Sequence, residues 1–381
     1  MKLFFISILL SIPALLFAQP EAGDDAATGK TAAIESYSRF DFIPGADLVY
    51  AEDFSQDAIG EFPMLWATNN RGEVVTLKGQ QGNWLRLFHK SHFISPLIKS
   101  MPENFTAEFD MIISFKAEGY VYPNISFKLV QTPAQDKDGH QYVNDPYNDP
   151  HVMVTMAPGD EGSSTISLSS RKEGEEYFNS DNKGFRKLSE YFHTPFHVSM
   201  WVQKQRFRLW INGEKIYDIP QAIPPSMAFN RLALEVTDCY YEEEQVGVYI
   251  GNVRIAQGAP DIRNKLMTEG RLVTNGILFD VNSDKIKPES NGVIREIAKV
   301  LQDNPSLKVK ITGFTDSDGD DNKNLELSKR RAAAVKALLE EHFQVDASRM
   351  QTDGKGEATP VADNKTKEGK AKNRRVEFIK L

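Results

Sequence analysis

Gly313-Phe314-Thr315-Asp316, then a polar loop, then Asn324-Leu325-Glu326-Leu327-Ser328-Lys329-Arg330-Arg331-Ala332 is the stretch that decides the fold of the C-terminal part of the chain. Before it, Leu307-Lys308-Val309-Lys310-Ile311 alternates in the period of a strand with one buried face. After the loop, an Ala- and Leu-rich run to His342 predicts a helix. On a helical wheel turning about 100° per residue, Leu327, Ala334, Val335 and Leu338 share one apolar stripe, and Arg331 falls inside it. A guanidinium there is costly unless an anion meets it. Asp316, at the end of the preceding strand, is the nearest candidate. Pattern alone leaves two readings open: an internal Asp316–Arg331 salt bridge, or a carboxylate and a guanidinium presented together in one pocket.

Working outward, Gly276-Ile277-Leu278-Phe279-Asp280-Val281 reads as a strand and Asn282 to Ile286 as a turn. Pro288 to about Asn304 reads as a helix with Val293, Ile294, Ile297, Val300 and Leu301 on its apolar side. Arg349 to Gln351 reads as a short strand, and Asn373 to Ile379 as the last one. The order βαβαβ(β) over residues 273–381 predicts an α+β domain with helices packed on one mixed sheet.

The front of the chain is different. Met1-Lys2-Leu3, an apolar run from Phe4 to Phe17 and Ala18 describe a secretory signal peptide over residues 1–18. Residues 19–39, rich in Ala, Gly, Asp and Thr, read as a flexible leader. No Cys follows the apolar run at a place for lipid attachment, and the single Cys239 excludes an internal disulfide. No later stretch is long and apolar enough to span a bilayer as a helix, so no transmembrane span is expected in the mature chain. Residues 273–381 carry 20 Lys+Arg against 18 Asp+Glu, so with a chain total of −8 the first 272 residues carry −10. An acidic front part argues against nucleic acid as a partner.

From 40 to 256 the pattern is short β runs split by turn residues. They include Trp84 to Phe88, Phe105 to Ile113, Ile125 to Val130, and a pair flanking Asn212-Gly213, a strong hairpin signal. Some dozen strands predict two packed antiparallel sheets, a β-sandwich or jelly roll. A linker is expected over 257–272, where Gly258, Ala259 and Pro260 open a mixed polar run. The nearest approach to a paired-acid catalytic strand is Glu108-Phe109-Asp110, which alternation reads as a solvated strand face. Asp136, Asp138, His140, Asp145, Asp149 and His151 cluster in one loop; solvated loop acids are the plainer reading and a metal site the sharper one. Trp66, Trp84, Trp201 and Trp210 each sit in an apolar run and read as core more than as sugar platforms. The loop Asp316-Ser317-Asp318-Gly319-Asp320-Asp321 has acids at alternate positions, as a calcium loop would, but its Gly stands fourth and not sixth. No metal and no cofactor is expected.

Two resemblances are carried by these residues. Asp53-Phe54 with Trp66 downstream, the Asn212-Gly213 hairpin and the closing run Val248 to Ile255 resemble the concanavalin-like lectin and glucanase sandwiches, including laminin-G-type modules. That architecture hosts sugar binders, glycoside hydrolases and protein-binding modules, so it fixes no function. Residues 273–381 resemble the OmpA-like domain shared with MotB-type stator proteins and peptidoglycan-associated lipoproteins. The carriers are Leu278-Phe279-Asp280, Gly313 to Asp316, Asn324, Leu327-Ser328, Arg331-Ala332, Gly354 to Glu357 and Asn373 to Glu377. Two departures are Phe314, where the family often has His, and the more acidic loop after Asp316.

The OmpA-like resemblance implies non-covalent binding of peptidoglycan through the diaminopimelate side chain of a stem peptide. That side chain ends in an ammonium and a carboxylate. Asp316 matches the family position that takes the ammonium, and Arg331 the one that takes the carboxylate, where a guanidinium can pair bidentately. Thr315 and Asn324 match supporting positions, Arg374 the pocket edge, and Asn282 the first loop. The expectation is a non-catalytic envelope protein, periplasmic and wall-associated at the outer-membrane side, whose sandwich binds a glycan or an envelope protein. The alternative is a wall-tethered glycan-processing enzyme with its active site in the sandwich.

Overall fold

The computed structural model describes residues 41–98, 101–116, 121–258 and 261–381. The expected signal peptide and leader lie outside them. The strands of the first part are β1 (Asp47–Glu52), β2 (Ala67–Thr68), β3 (Gly72–Thr76), β4 (Asn83–Leu87), β5 (Ser91–Ile94), β6 (Asn104–Phe115), β7 (Ile125–Val130) and β8 (His151–Ala157). They continue with β9 (Thr165–Lys172), β10 (Glu175–Asn179), β11 (Lys183–Gly184), β12 (Phe196–Gln203), β13 (Arg206–Ile211), β14 (Glu214–Ile219), β15 (Arg231–Val236) and β16 (Val246–Gln257). A single turn of helix, α1 (His140–Asn144), precedes β8.

These strands form two sheets of eight. One runs β14-β13-β12-β6-β16-β4-β3 with β1 also on β16; the other runs β10-β9-β8-β7-β15-β5-β2 with β11 also on β9. The expected two-sheet antiparallel sandwich is present. Alternate residues of β6, among them Phe109, face alternate residues of β7, among them Phe127, and those two rings meet edge-on at 5.4 Å across the sheets. Of the four tryptophans, Trp66, Trp84 and Trp210 are buried, and Trp201 is half-buried with the Arg208 guanidinium 4.7 Å over its ring.

The C-terminal part comprises α2 (Ile262–Met267), β17 (Arg271–Thr274), α3 (Asn291–Asp303), β18 (Val309–Gly313), α4 (Asp321–Phe343), β19 (Met350–Gly354), α5 (Lys367–Asn373) and β20 (Val376–Lys380). Its sheet order is β17-β20-β18-β19, with β18 and β19 parallel and the other pairs antiparallel. Helices on one mixed sheet are as expected. Among the described residues no helix is long and apolar enough to cross a membrane.

Two expectations fail locally. The stretch 257–272 is not a bare linker: it holds α2, capped by the Asp261 carboxylate, and the start of β17, and it buries Ile262, Leu266 and Leu272. Conversely, residues 276–281 form no ladder strand. Ile277 turns into the core, the Leu278 amide bonds Ser290 Oγ, and only Phe279 bridges to Ile286.

The two parts are packed together along β1, β6 and the residues before β1. Phe42 is fully buried, its ring 5.3 Å from that of Trp210, whose indole N–H donates to Asp41. A Cβ on Gly292 in α3 would lie 1.8 Å from the Phe42 carbonyl oxygen, and one on Gly276 2.6 Å from Pro44. Glycine at both places lets the 41–46 segment wedge between sandwich and helix. α5 packs on β1, and the Lys367 ammonium reaches Glu52 at 2.6 Å and Asp57 at 2.8 Å.

Candidate functional site

The pocket of interest starts at the end of β18. Beyond Gly313, the Phe314 amide donates to the Arg375 carbonyl and the Thr315 amide to the Gly356 carbonyl, both at 3.0 Å. The strand end is thereby clamped between two loops. Thr315 and Asp316 follow, 4% and 7% exposed, and Thr315 Oγ1 has no hydrogen-bond partner. The Asp316 carboxylate takes the Arg374 Nη1 and also accepts from the Asp318 amide at 3.2 Å.

Asn324 lies in the first turn of α4, which Asp320 caps through the Lys323 amide. Its side-chain amide donates to the Asp318 carbonyl (3.1 Å) and Glu357 Oε2 (2.8 Å). It therefore staples the acidic loop to the 354–357 turn. Of the other loop acids, Asp320 is the cap of α4 and Asp318 pairs with Lys370 at 2.7 Å. The calcium-like pattern is thus a set of caps and ion pairs, and among the described residues no group of acids, His or Cys is arranged to hold a metal.

Arg331 projects from α4 as its place in the apolar stripe requires, half-buried, with its guanidinium 4.8 Å over the Phe279 ring. Its Nε donates to the Ser283 carbonyl (2.9 Å) and Nη2 to the Asp280 carbonyl (3.4 Å). Among the described residues it has no carboxylate within salt-bridge distance. Burial, and next the like charge of Arg374, push its pKa down to about 10. The internal Asp316–Arg331 salt bridge therefore does not form; Asp316 is held by Arg374 instead. Asn282 stands exposed at the apex of the loop that bonds Arg331, in a left-handed conformation with φ 54°.

The resemblance puts Arg374 at the pocket edge, and the structure adds a second partner. Its Nη2 lies 3.7 Å from Asp53 of the sandwich. Arg374 and Asp316 are 58 positions apart, and Asp53 is farther still, so no local pattern joins them.

A second charged cluster lies where β6 and β12 meet the C-terminal part. Glu108 and Asp110 are 2% and 6% exposed, which corrects their reading as a solvated face. The covering layer is the 41–46 segment, whose Gly45 amide bonds Thr106, together with the loop ending at Lys287. His197 Nδ1 bonds Asp110 at 2.6 Å and Nε2 faces Glu108 at 3.3 Å, while Lys287 and Asn252 take the other Asp110 oxygen. Burial alone would lower the His197 pKa, but the bonds to Asp110 and Glu108 outweigh it and push it up to about 10. In the other loop cluster, Asp136 caps α1 through the Gln141 and Tyr142 amides. Burial and the neighbouring Asp136 and Asp145 charges push Asp149 up to about 6.

Residues 278–374 match the OmpA family model. The chain is 32% identical over 166 residues to the outer-membrane lipoprotein YfiB of Pseudomonas aeruginosa, covering 42% of this chain and 97% of that protein. It is 44% identical over 104 residues to the probable lipoprotein YiaD of Escherichia coli, covering 27% of this chain and 47% of that one. The chain thus spans nearly all of the first relative and about half of the second. Among solved structures, it is similar to the peptidoglycan-associated lipoprotein of Burkholderia pseudomallei, with 28% identity over 28% of this chain and 88% of that one, at a TM-score of 0.26. Through its C-terminal part, this chain belongs to the OmpA family.

Proposed function

We propose that this chain is a non-catalytic cell-envelope protein that binds peptidoglycan non-covalently. It takes the diaminopimelate end of a stem peptide between Asp316 and Arg331, with Thr315, Asn324, Arg374 and Asn282 around them. The observation that carries the reading is Arg331: a half-buried guanidinium bonded to two backbone carbonyls and to no carboxylate. Two carbonyls take two of its five N–H donors and supply no opposite charge, which a bidentate ligand carboxylate would provide. The ligand's ammonium would then go to Asp316, beside the unpartnered Thr315 hydroxyl. Membership of a family whose relatives include outer-membrane proteins supports a periplasmic, wall-associated location at the outer-membrane side. The sandwich, in this reading, binds a glycan or another envelope protein. The enzyme alternative draws no support from Glu108 and Asp110, which are closed onto His197 and covered by Lys287.

The test is co-sedimentation with purified peptidoglycan. Arg331→Ala and Asp316→Ala are each expected to weaken pelleting roughly tenfold to a hundredfold, the scale of one lost charge-assisted hydrogen bond. Unchanged pelleting in both would remove the site.

A further inference from the structure

We infer that Asp53, in the sandwich, is a working part of the stem-peptide pocket: it is the counter-ion onto which Arg374 moves when a ligand ammonium enters against Asp316. The inference rests on the proposed function above and names a positioning residue from outside the C-terminal domain.

The starting geometry poses a conflict. Asp316 is buried and its Oδ2 is already given to Arg374. An ammonium arriving at the same carboxylate would face the guanidinium at close range, a repulsion on the order of tenfold or more in affinity in a partly desolvated site. Arg374 has somewhere to go, because its second terminal nitrogen is 3.7 Å from Asp53 Oδ2. Its backbone is pinned: the amide donates to the Lys370 carbonyl and its own carbonyl accepts from Asn275. Only the side chain needs to swing.

Asp53 is equally fixed as a receiver. Its Oδ1 accepts from the Ser55 hydroxyl (2.6 Å) and amide (3.1 Å), leaving Oδ2 toward Arg374. Burial would raise its pKa, but those bonds and the Arg374 charge hold it below the usual carboxylate range. The adjacent Glu52 is gripped by Lys367 of α5, so the end of β1 is held against the helix that leads into Arg374.

The experiment is calorimetric titration of the full chain with two probes. One is the tripeptide L-Ala-γ-D-Glu-meso-diaminopimelate; the other is its 2-aminopimelate analogue, which keeps the side-chain carboxylate and lacks the side-chain ammonium. Asp53→Asn is expected to weaken the first about tenfold and the second by less than about twofold, with Asp53→Glu restoring the first. On an Arg374→Gln background, Asp53→Asn is expected to have no further effect. Equal weakening of both probes would mark a merely structural role and overturn the inference, as would no weakening of either or additive losses in the double variant. If the unaltered chain binds neither probe, the stem-peptide reading itself fails and takes this inference with it. If it binds the diaminopimelate probe and Asp53→Asn binds it equally well, the inference alone fails.

Discussion

Among the described residues, the charge cluster around His197 and the one around Asp316 are opposite in construction. Under the C-terminal part, Lys287, Asp110, His197 and Glu108 form a chain in which cation and anion alternate through direct contacts. In the pocket, Asp316 shares Arg374 with the sandwich, while Arg331 meets two carbonyls and the Phe279 ring and no carboxylate. In the first cluster every charge has an opposite charge in contact, and only Glu108 Oε1 is left without a hydrogen-bond partner. The second is one anion short around Arg331. Buried charge by itself is therefore no sign of a binding site; the incomplete pairing is.

The sharpest way to break this comparison is His197→Ala. It leaves buried Glu108 without its cation and Asp110 with only Lys287 and Asn252, and is expected to cost about 3–5 kcal/mol, read by denaturant unfolding of the full chain. A loss below about 1 kcal/mol would show that water or relaxation compensates the cluster. Arg331→Ala is the counterpart. It is expected to lower peptidoglycan affinity by about 1.5–3 kcal/mol while leaving unfolding within about 1 kcal/mol of the parent, because it removes a buried charge with no carboxylate partner to strand. A large stability loss would make Arg331 structural after all.

Gly292→Ala probes the layer between the two clusters. Its Cβ would fall 1.8 Å from the Phe42 carbonyl oxygen, so the 41–46 wedge must shift. The expected cost is about 1–3 kcal/mol, with Trp210 fluorescence reporting the loss of the Phe42 contact. A slope with pH reads the first cluster without removing any of its members. The His197 folded pKa of about 10 lies above its ordinary 6.5, so its stabilising contribution is complete below pH 6.5 and drains away as pH rises toward 10. Asp110, held below its ordinary 3.8, acts in the opposite sense and loses its contribution only in acid. Thermal unfolding from pH 6 to 10 should fall more steeply in the parent than in His197→Gln.

Local pattern made the pocket's scaffold legible. The alternation before Ile311 and the helical stripe containing Arg331 are properties of adjacent residues, and β18 and α4 appear where those patterns stand. Alternation also put Glu108 and Asp110 together on one face of β6. It could not say what covers that face, because Lys287 and the 41–46 segment come from distant parts of the sequence. The same distance hid Asp53 from Arg374. α2 and β17 escaped notice for another reason. A helix of six residues and a strand of four are too short for either period to show, although Asp261 with Ile262 and Leu266 four apart is the trace they leave. The stretch 276–281 misled by being apolar without being paired.

The Phe42–Gly292 contact also sets an order of events during folding. Phe42 precedes its seat at Gly292 in α3 by 250 positions, so the start of the described chain has nowhere to dock until α3 exists. Until then Phe42 and Asp41 have only the β13 surface at Trp210 to rest on, and that surface is itself made late. Contacts this far apart in sequence close slowly because the intervening loop entropy must be met first. The wedge therefore seats only after α3 is in place, and until then Glu108, Asp110 and His197 on the face of β6 and β12 lack that cover.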